Sequence, residues 1–144
     1  MLTAVWNSYN VGEDQLQRYV DVMAALGQAT ASSSEEIMTA MQKVAATANT
    51  VGVSVEQMSA MIATVSSTTR QSAETIGTSM QTILSRIGGL KLGQTLEDGV
   101  NLNKYSTGLK AIGVNVLDAA GELRNMGDVI TELMGKWQQL STAQ

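Results

Sequence analysis

Residues 33–65 read SSEEIMTAMQKVAATANTVGVSVEQMSAMIATV, and this stretch decides the fold. It carries one signal twice, because Ser33 is followed three residues later by Glu36, and Ser54 by Gln57. That spacing is typical of a capping box, in which the serine hydroxyl accepts a hydrogen bond from a free amide at the start of a helix. The side chain three residues on bonds back to the serine amide. The stretch therefore predicts two helix starts.

Apolar residues follow each capping pair at intervals of three and four, which places them on one face of a helix. They are Ile37, Met41, Val44, Ala48 and Val51 after the first pair, and Met58, Met61, Ile62 and Val65 after the second. Gly52 suits the left-handed residue that commonly ends a helix. Because the connection spans only a few residues, we expect residues 34–67 to form a helical hairpin of two antiparallel helices.

The same periodicity marks helices in the rest of the chain. Before the hairpin it appears at Leu16, Tyr19, Val20, Met23 and Leu26. After it, the predicted elements are a helix at 72–88, a loop at 89–102, a short helix at 103–111 and a helix at 128–141. Residues 1–12 are left unplaced, with a truncated helix as one interpretation. The expected fold is mainly α, a compact bundle of about five to six helices in a single domain at 13–144.

One short segment departs from helical spacing. In VNVLDAAGEL, residues 114–123, Val114 and Val116 alternate with a polar residue, and Asp118 and Gly121 are typical turn residues. This pattern predicts one small β-hairpin near residues 113–125. Since an isolated hairpin with such short arms is barely stable in water, it is expected to lie against helices.

The composition limits the classes of function. The 144 residues include nine Met but no Phe, two Trp and three Tyr, so the core is expected to be aliphatic and of modest stability. The formal net charge is -4 with no cluster of Lys or Arg, which argues against a nucleic acid partner. No apolar run approaches the length of a membrane-spanning helix, and the start lacks the pattern of a signal peptide.

Side chains that carry chemistry are scarce. The chain has no His and no Cys, which removes the commonest general base, the commonest ligand of transition metals and the thiolate nucleophile. Glu97 and Asp98 form the best carboxylate pair, but adjacent acids in a glycine-rich loop are more typical of a solvated turn than of a two-carboxylate active site. We therefore expect a non-catalytic protein with no cofactor and no bound metal.

Four residues are candidates for contact with a partner. Trp6 and Trp137 are candidates because aromatic side chains anchor many interfaces. Met58 and Met61 lie on the weakly charged hairpin, where methionine adapts its shape to its surroundings. Helical spacing also places Met58, Met61 and Trp137 on inward faces, so the core is the alternative for these three.

Several blocks from about residue 71 onward resemble the conserved core region of phage tail tape measure proteins. The blocks are SAETIGT running into ILSRIGGLKLG, then EDGVNLNKYS, then IGVNVLDAAGELRNMGDVI. The upstream GVSVEQMSAMIATV is also similar to that family, and the resemblance covers roughly residues 14–140.

The resemblance implies a structural role in tail assembly. Proteins of that family act as a template around which tail tube subunits polymerise, so that their length sets the tail length. The implied partners are other tape measure copies, tail tube proteins and tail assembly chaperones, with membrane contact only during genome ejection. The implied location is the tail tube lumen of the virion, and the host cytoplasm during assembly.

The glycines indicate that this segment is not the ruler itself. One continuous helix of this length would measure roughly 200 Å, but the chain has 13 Gly, several at capping positions. We therefore expect a folded module beside the ruler, used for anchoring, self-association or initiation. Two alternatives stay open: a helical adaptor unrelated to phages that binds a partner helix through its weakly charged 44–69 segment, and a membrane-interacting segment used in genome ejection.

Overall fold

The computed structural model describes residues 2–10, 12–87 and 104–141. Within these residues lie seven α-helices: α1 (Leu2–Tyr9), α2 (Leu16–Ala29), α3 (Ser34–Thr50), α4 (Val55–Thr69), α5 (Ala73–Ile87), α6 (Lys104–Ala111) and α7 (Met126–Lys136). Short 3₁₀ turns lie at Glu13–Gln15 and Trp137–Gln139. The expectation of a mainly α fold is confirmed. The predicted loop at 89–102, with Glu97 and Asp98, lies outside the described residues.

Both predicted capping boxes are present. Ser33 Oγ accepts from the Glu36 amide at 3.1 Å, and the Ser33 amide donates to Glu36 Oε2 at 2.7 Å. Ser54 Oγ accepts from the Gln57 amide at 3.1 Å, and the Ser54 amide donates to Gln57 Oε1 at 3.4 Å. Between the two helices Gly52 has a φ of +77°, the left-handed conformation expected of it.

Helices α3 and α4 are antiparallel neighbours. Ser32, just before α3, approaches the Ala63 carbonyl at 3.4 Å and the Ser67 hydroxyl at 3.5 Å, both near the end of α4. The interior beside them is aliphatic, as the composition predicts. Its fully buried side chains include Ile37, Met41, Val44, Met58, Leu84 and Met126.

Helix α5 crosses α3 at a close contact that depends on a glycine. A Cβ atom on Gly77 would lie 2.5 Å from the Ala40 carbonyl oxygen and 2.9 Å from Lys43 Cβ. A Cβ atom cannot form a hydrogen bond and is essentially never found this close to a neighbouring atom, so only glycine lets the two backbones approach this closely. This crossing joins α5 to the hairpin.

The unplaced N-terminal segment contains helix α1, which packs on α3. The Val5 side chain is buried, and Asn49 Nδ2 donates to the Ser8 carbonyl at 3.1 Å. Trp6 stacks edge-on against Tyr19 of α2, with ring centroids 6.3 Å apart. A helix was one interpretation of this segment, but apolar spacing did not establish it, because eight residues supply too few turns for a period to stand out.

The predicted β-hairpin near 113–125 is wrong in its strands. Within the described residues there is no strand, and the two arms meet at a single antiparallel bridge between Leu117 and Leu123. The turn itself is as predicted: Asp118 Oδ1 accepts from the Ala120 and Glu122 amides, each at 2.9 Å.

The arms are too short for strands because their ends bond elsewhere. The Val114 amide donates to the Leu109 carbonyl at 2.9 Å, which closes α6. At the other end Asn125 caps α7, its side chain accepting from the Gly127 amide at 2.8 Å and the Asp128 amide at 3.3 Å. Helix α7 therefore begins two residues before the predicted Asp128, and it ends at Lys136 rather than near 141.

Candidate protein-contact surface

An apolar groove lies between α4, α5 and α7, open to solvent, with a volume of about 490 Å³. The residues that line it are Gln57, Ala60, Met61, Thr64, Val65, Met80, Ile83, Ile130, Thr131 and Met134. None of these side chains carries a formal charge. Covering the groove therefore leaves no buried charge without a partner. We call this surface the α4–α5–α7 groove.

The groove exists because α7 contacts the α3–α4 helical hairpin mainly through its N-terminal end. The Met126 amide donates to the Val51 carbonyl at 3.1 Å. The Gln57 side chain bonds Asn125 and Asp128, each at 3.3 Å. Few close backbone approaches join α7 to α4 or α5. Beyond its anchor α7 therefore leaves the space between the helices open.

Large apolar side chains on two walls of the groove are exposed. Ile83 on α5 is 44% exposed and Met134 on α7 is 65% exposed. Trp137, just after α7, is 67% exposed. Because Ile130, Met134 and Trp137 are four and three residues apart, they lie on one helical face. Single exposed apolar residues are common, but a contiguous patch beside an apolar groove is typical of an interaction site.

The charged side chains of this part of α7 point away from the groove. Glu132 pairs with Arg124 at 2.9 Å and with Lys136 at 3.7 Å. Lys136 Nζ donates to the Gly113 carbonyl at 2.8 Å, and Arg124 donates to the Asn115 carbonyl at 2.6 Å. At 100° per residue, positions 132 and 136 are on the opposite side of the helix from 130 and 134. The charges thus tie α7 to the 113–125 turn and leave the groove side neutral.

The four predicted contact residues lie in different environments in the structure. Met58 is fully buried and packs in the core, which was its alternative interpretation. Met61 lines the groove. Trp137 was expected on a buried stripe but is exposed on the same face as Met134. Trp6 is half-buried against Tyr19 and does not line the groove.

Two exposed residues of this surface, Ile83 and Met134, were not among the sequence candidates. Both belong to apolar helical stripes that the sequence shows, and such stripes ordinarily face the core. Spacing alone does not reveal whether another helix covers a stripe. The missing signal is the position of α7, which depends on the contacts of Met126 and Asn125 with the hairpin.

One strongly perturbed titratable group, Tyr9, lies away from the groove. The Tyr9 hydroxyl is buried and has no hydrogen-bond partner. Burial, and then the nearby Tyr19 and Glu56, raise the pKa of Tyr9 well above its ordinary value. Because the neutral hydroxyl holds its proton so tightly, Tyr9 is unsuited to proton transfer near neutral pH.

Neither a metal cluster nor a membrane span is found among the residues that the structure describes. In the ranges 2–10, 12–87 and 104–141, no group of three or more His, Cys, Asp or Glu side chains could hold a metal ion. None of the helices in these ranges has both the length and the apolar character that crossing a membrane requires.

Comparison with known proteins shows the family of the chain. The family described as phage-related minor tail protein matches residues 1–144, which is the full length of the sequence. No solved structure matches the chain. The helical fold and the exposed apolar groove are compatible with a structural component of a virion, which this family implies. The chain belongs to the phage-related minor tail protein family.

Proposed function

We propose that the chain is a folded module of a phage tail tape measure protein, which acts in tail assembly and tail-length determination through protein contacts and without catalysis. The observation that carries this proposal is the uncharged α4–α5–α7 groove with its exposed wall residues Ile83 and Met134. Family membership supports a tail protein, and the resemblance of the blocks after residue 71 supports the tape measure class.

The packing of the helices supports a module rather than a stretch of ruler. A ruler works by its extended length, at about 1.5 Å for each helical residue. Here α3 and α4 fold back on each other, and α5 crosses α3 at Gly77. A chain folded in this way adds little length, so its contribution is a surface.

The proposed partners are other tape measure copies, tail tube proteins and tail assembly chaperones. The proposed places of action are the tail tube lumen of the virion and the host cytoplasm during assembly. The neutral groove fits such partners because it would accept an apolar helix face without selecting a charge.

The tape measure class is tested by changing the length of the protein in the phage. Fusing about 60 helix-forming residues in frame at residue 144 should lengthen the tails by roughly 90 Å, measured by electron microscopy. A fusion of equal length made of a compact, unrelated domain is the control and should add much less. Tails of unchanged length with the helical insertion would contradict a ruler.

The contact role of the groove is tested by a point variant. Met134→Glu places a charge on the groove wall at an exposed position, so the fold should survive while docking is lost. We expect the yield of complete tails to fall by at least about 10-fold. Val20→Glu, at an exposed apolar position on α2, is the matched control and should leave the yield unchanged. Normal tail yield with Met134→Glu would refute the contact role.

A further inference from the structure

We propose that Met134 is an oxidation site, at which a peroxide converts the exposed thioether of the α4–α5–α7 groove into a sulfoxide and makes the groove wall polar. The site is inferred from exposure, from the placement of the methionines and from hydrogen bonding in the groove. Its consequence, control of docking by oxidants, rests on the contact role proposed above for the groove. It does not depend on which partner docks there or on the tape measure class.

The placement of the methionines is the first argument. Eight of the nine methionines of the chain lie within the described residues. Five of these are buried in the core, namely Met23, Met38, Met41, Met58 and Met126. The remaining three all line the groove, and they are Met61, Met80 and Met134. In the described part of the chain, the methionines outside the core therefore belong to one surface.

Exposure is the second argument, and it selects Met134 among the three. Met134 is 65% exposed, whereas Met61 and Met80 are half-buried. Oxidation follows exposure, because the oxidant must reach the sulfur. The chain has no Cys, so no thiolate competes for the oxidant. The buried methionines become accessible only when the core opens. Met134 should therefore react first among the eight.

The reaction requires only a peroxide as the oxidant. A lone pair of the Met134 sulfur attacks one oxygen of hydrogen peroxide, and the O–O bond breaks as the S–O bond forms. The second oxygen leaves as water, together with both protons of the peroxide. The sulfur loses two electrons and the peroxide gains them, so the products are methionine sulfoxide and water. An apolar side chain thereby becomes a polar one.

Hydrogen bonding in the groove is the third argument, because the polar side chains there already donate to other groups. Thr64 and Thr131 each donate the hydroxyl hydrogen to the carbonyl four residues earlier, at 2.9 Å. Gln57 Nε2 donates to Asp128 Oδ1 at 3.3 Å. A sulfoxide oxygen that an apolar ligand covers would lose its water without gaining either hydroxyl as a donor. We therefore expect oxidation of Met134 to weaken apolar binding in the groove at least about 10-fold.

Peptide mapping by mass spectrometry tests the site. The folded chain is treated with hydrogen peroxide at neutral pH, the reaction is quenched at successive times, and the sulfoxide at each of the eight methionines is quantified. Met134 should be oxidised at least about 10-fold faster than each of the five buried methionines, and also faster than Met61 and Met80. The chain unfolded in guanidinium is the control. There all eight should react at similar rates, because unfolding removes the differences in exposure.

Binding of Nile red, an uncharged dye that fluoresces in apolar surroundings, tests the effect on the groove. Oxidation limited to Met134 should weaken dye binding at least about 10-fold. The two sulfoxide reductases, one for each epimer, should restore binding, which separates oxidation from irreversible damage. Met134→Leu should bind the dye before and after the same treatment. Combining Met134→Leu with Val20→Met moves the exposed thioether to α2, where its oxidation should leave dye binding unchanged.

Two results would overturn the inference. One is that another of the eight methionines is oxidised as fast as Met134 in the folded chain, and the other is that dye binding stays unchanged once Met134 is oxidised. Both are measured on the isolated chain, so they are distinct from failure of the proposed function. If Met134 reacts first and dye binding falls, the oxidation site stands. Normal tail yield with Met134→Glu would then refute only the contact role of the groove.

Discussion

At the scale of single residues, Gly77 shows how one atom controls a helix crossing. Glycine within a helix costs about 1 kcal/mol relative to alanine, so a glycine in the second turn of α5 needs a reason. That reason is the Ala40 carbonyl oxygen, which lies where a Cβ atom would be. Gly108 and Gly135 also lie within helices, α6 and α7, but nothing lies within 4 Å of a Cβ at either position. Alanine substitutions at Gly108 and Gly135 are therefore suitable controls for the same substitution at Gly77.

We predict that Gly77→Ala lowers the free energy of unfolding by about 2 kcal/mol, because the clash with α3 outweighs the gain in helix propensity. Gly108→Ala and Gly135→Ala should each raise it by up to about 1 kcal/mol, since only the propensity changes. Urea denaturation followed by circular dichroism measures all three. Equal or greater stability of Gly77→Ala would show that α3 and α5 do not cross at this distance.

A second residue-scale prediction concerns Tyr9, whose buried hydroxyl has no partner. Leaving a polar group buried and unpaired costs free energy, so Tyr9→Phe should raise the free energy of unfolding by about 1 kcal/mol at neutral pH. Urea denaturation of the two proteins at pH 7 measures this difference. If Tyr9→Phe proves less stable, the hydroxyl has a partner in solution.

The pH dependence of Tyr9 follows from its raised pKa. The folded protein binds the phenol proton more tightly than the unfolded chain, in which the pKa is about 10. Stability from this proton is therefore complete below pH 10 and is lost as the pH rises towards the folded pKa. The advantage of Tyr9→Phe over the wild type should widen above pH 10, and an advantage that stays constant from pH 8 to pH 11 would contradict the pKa shift.

At the scale of helices and turns, the sequence predicts features that depend on neighbours in the chain. The two capping boxes and the left-handed Gly52 follow from residues at most three positions apart, and the structure has all three. The groove depends instead on where α7 docks, through contacts of Asn125 and Met126 with residues about seventy positions earlier. Local patterns do not encode such long-range contacts. For the same reason the apolar stripe that contains Met134 is typical of a buried helix face, although the Met134 side chain is exposed.

The prediction at this scale concerns the two capping boxes and their contribution to the free energy of unfolding. Ser33→Ala and Ser54→Ala should each lower the free energy of unfolding by about 1 kcal/mol, because each leaves a helix-start amide without its acceptor. The two sites are at the starts of antiparallel helices and share no partner, so the double variant should lose the sum of both. Ser79→Ala, at an exposed position within α5, is the control and should be neutral or slightly stabilising.

Denaturation curves of the single and double variants measure these effects. If either cap variant behaves like Ser79→Ala, the capping bond at that serine does not form in solution. A double variant that loses much more than the sum would instead show that α3 and α4 unfold as one unit once either cap is lost.

At the scale of the whole molecule, the arrangement of helices separates a module from a ruler. A protein of this length that folds compactly has a radius of gyration of about 15 Å, whereas one continuous helix would extend roughly 200 Å. Three contacts reduce the overall dimension of the chain. They are the packing of α3 against α4, the crossing of α3 and α5 at Gly77, and the bonds between α7 and the 113–125 turn. The overall dimension therefore reports directly on the proposed role.

Small-angle X-ray scattering over a dilution series, extrapolated to zero concentration, measures this dimension. At the lowest concentration we expect a radius of gyration near 15 Å. A maximum dimension above about 100 Å at the lowest concentration would show an extended chain. The segment would then contribute length to the tail, and the module interpretation would be wrong.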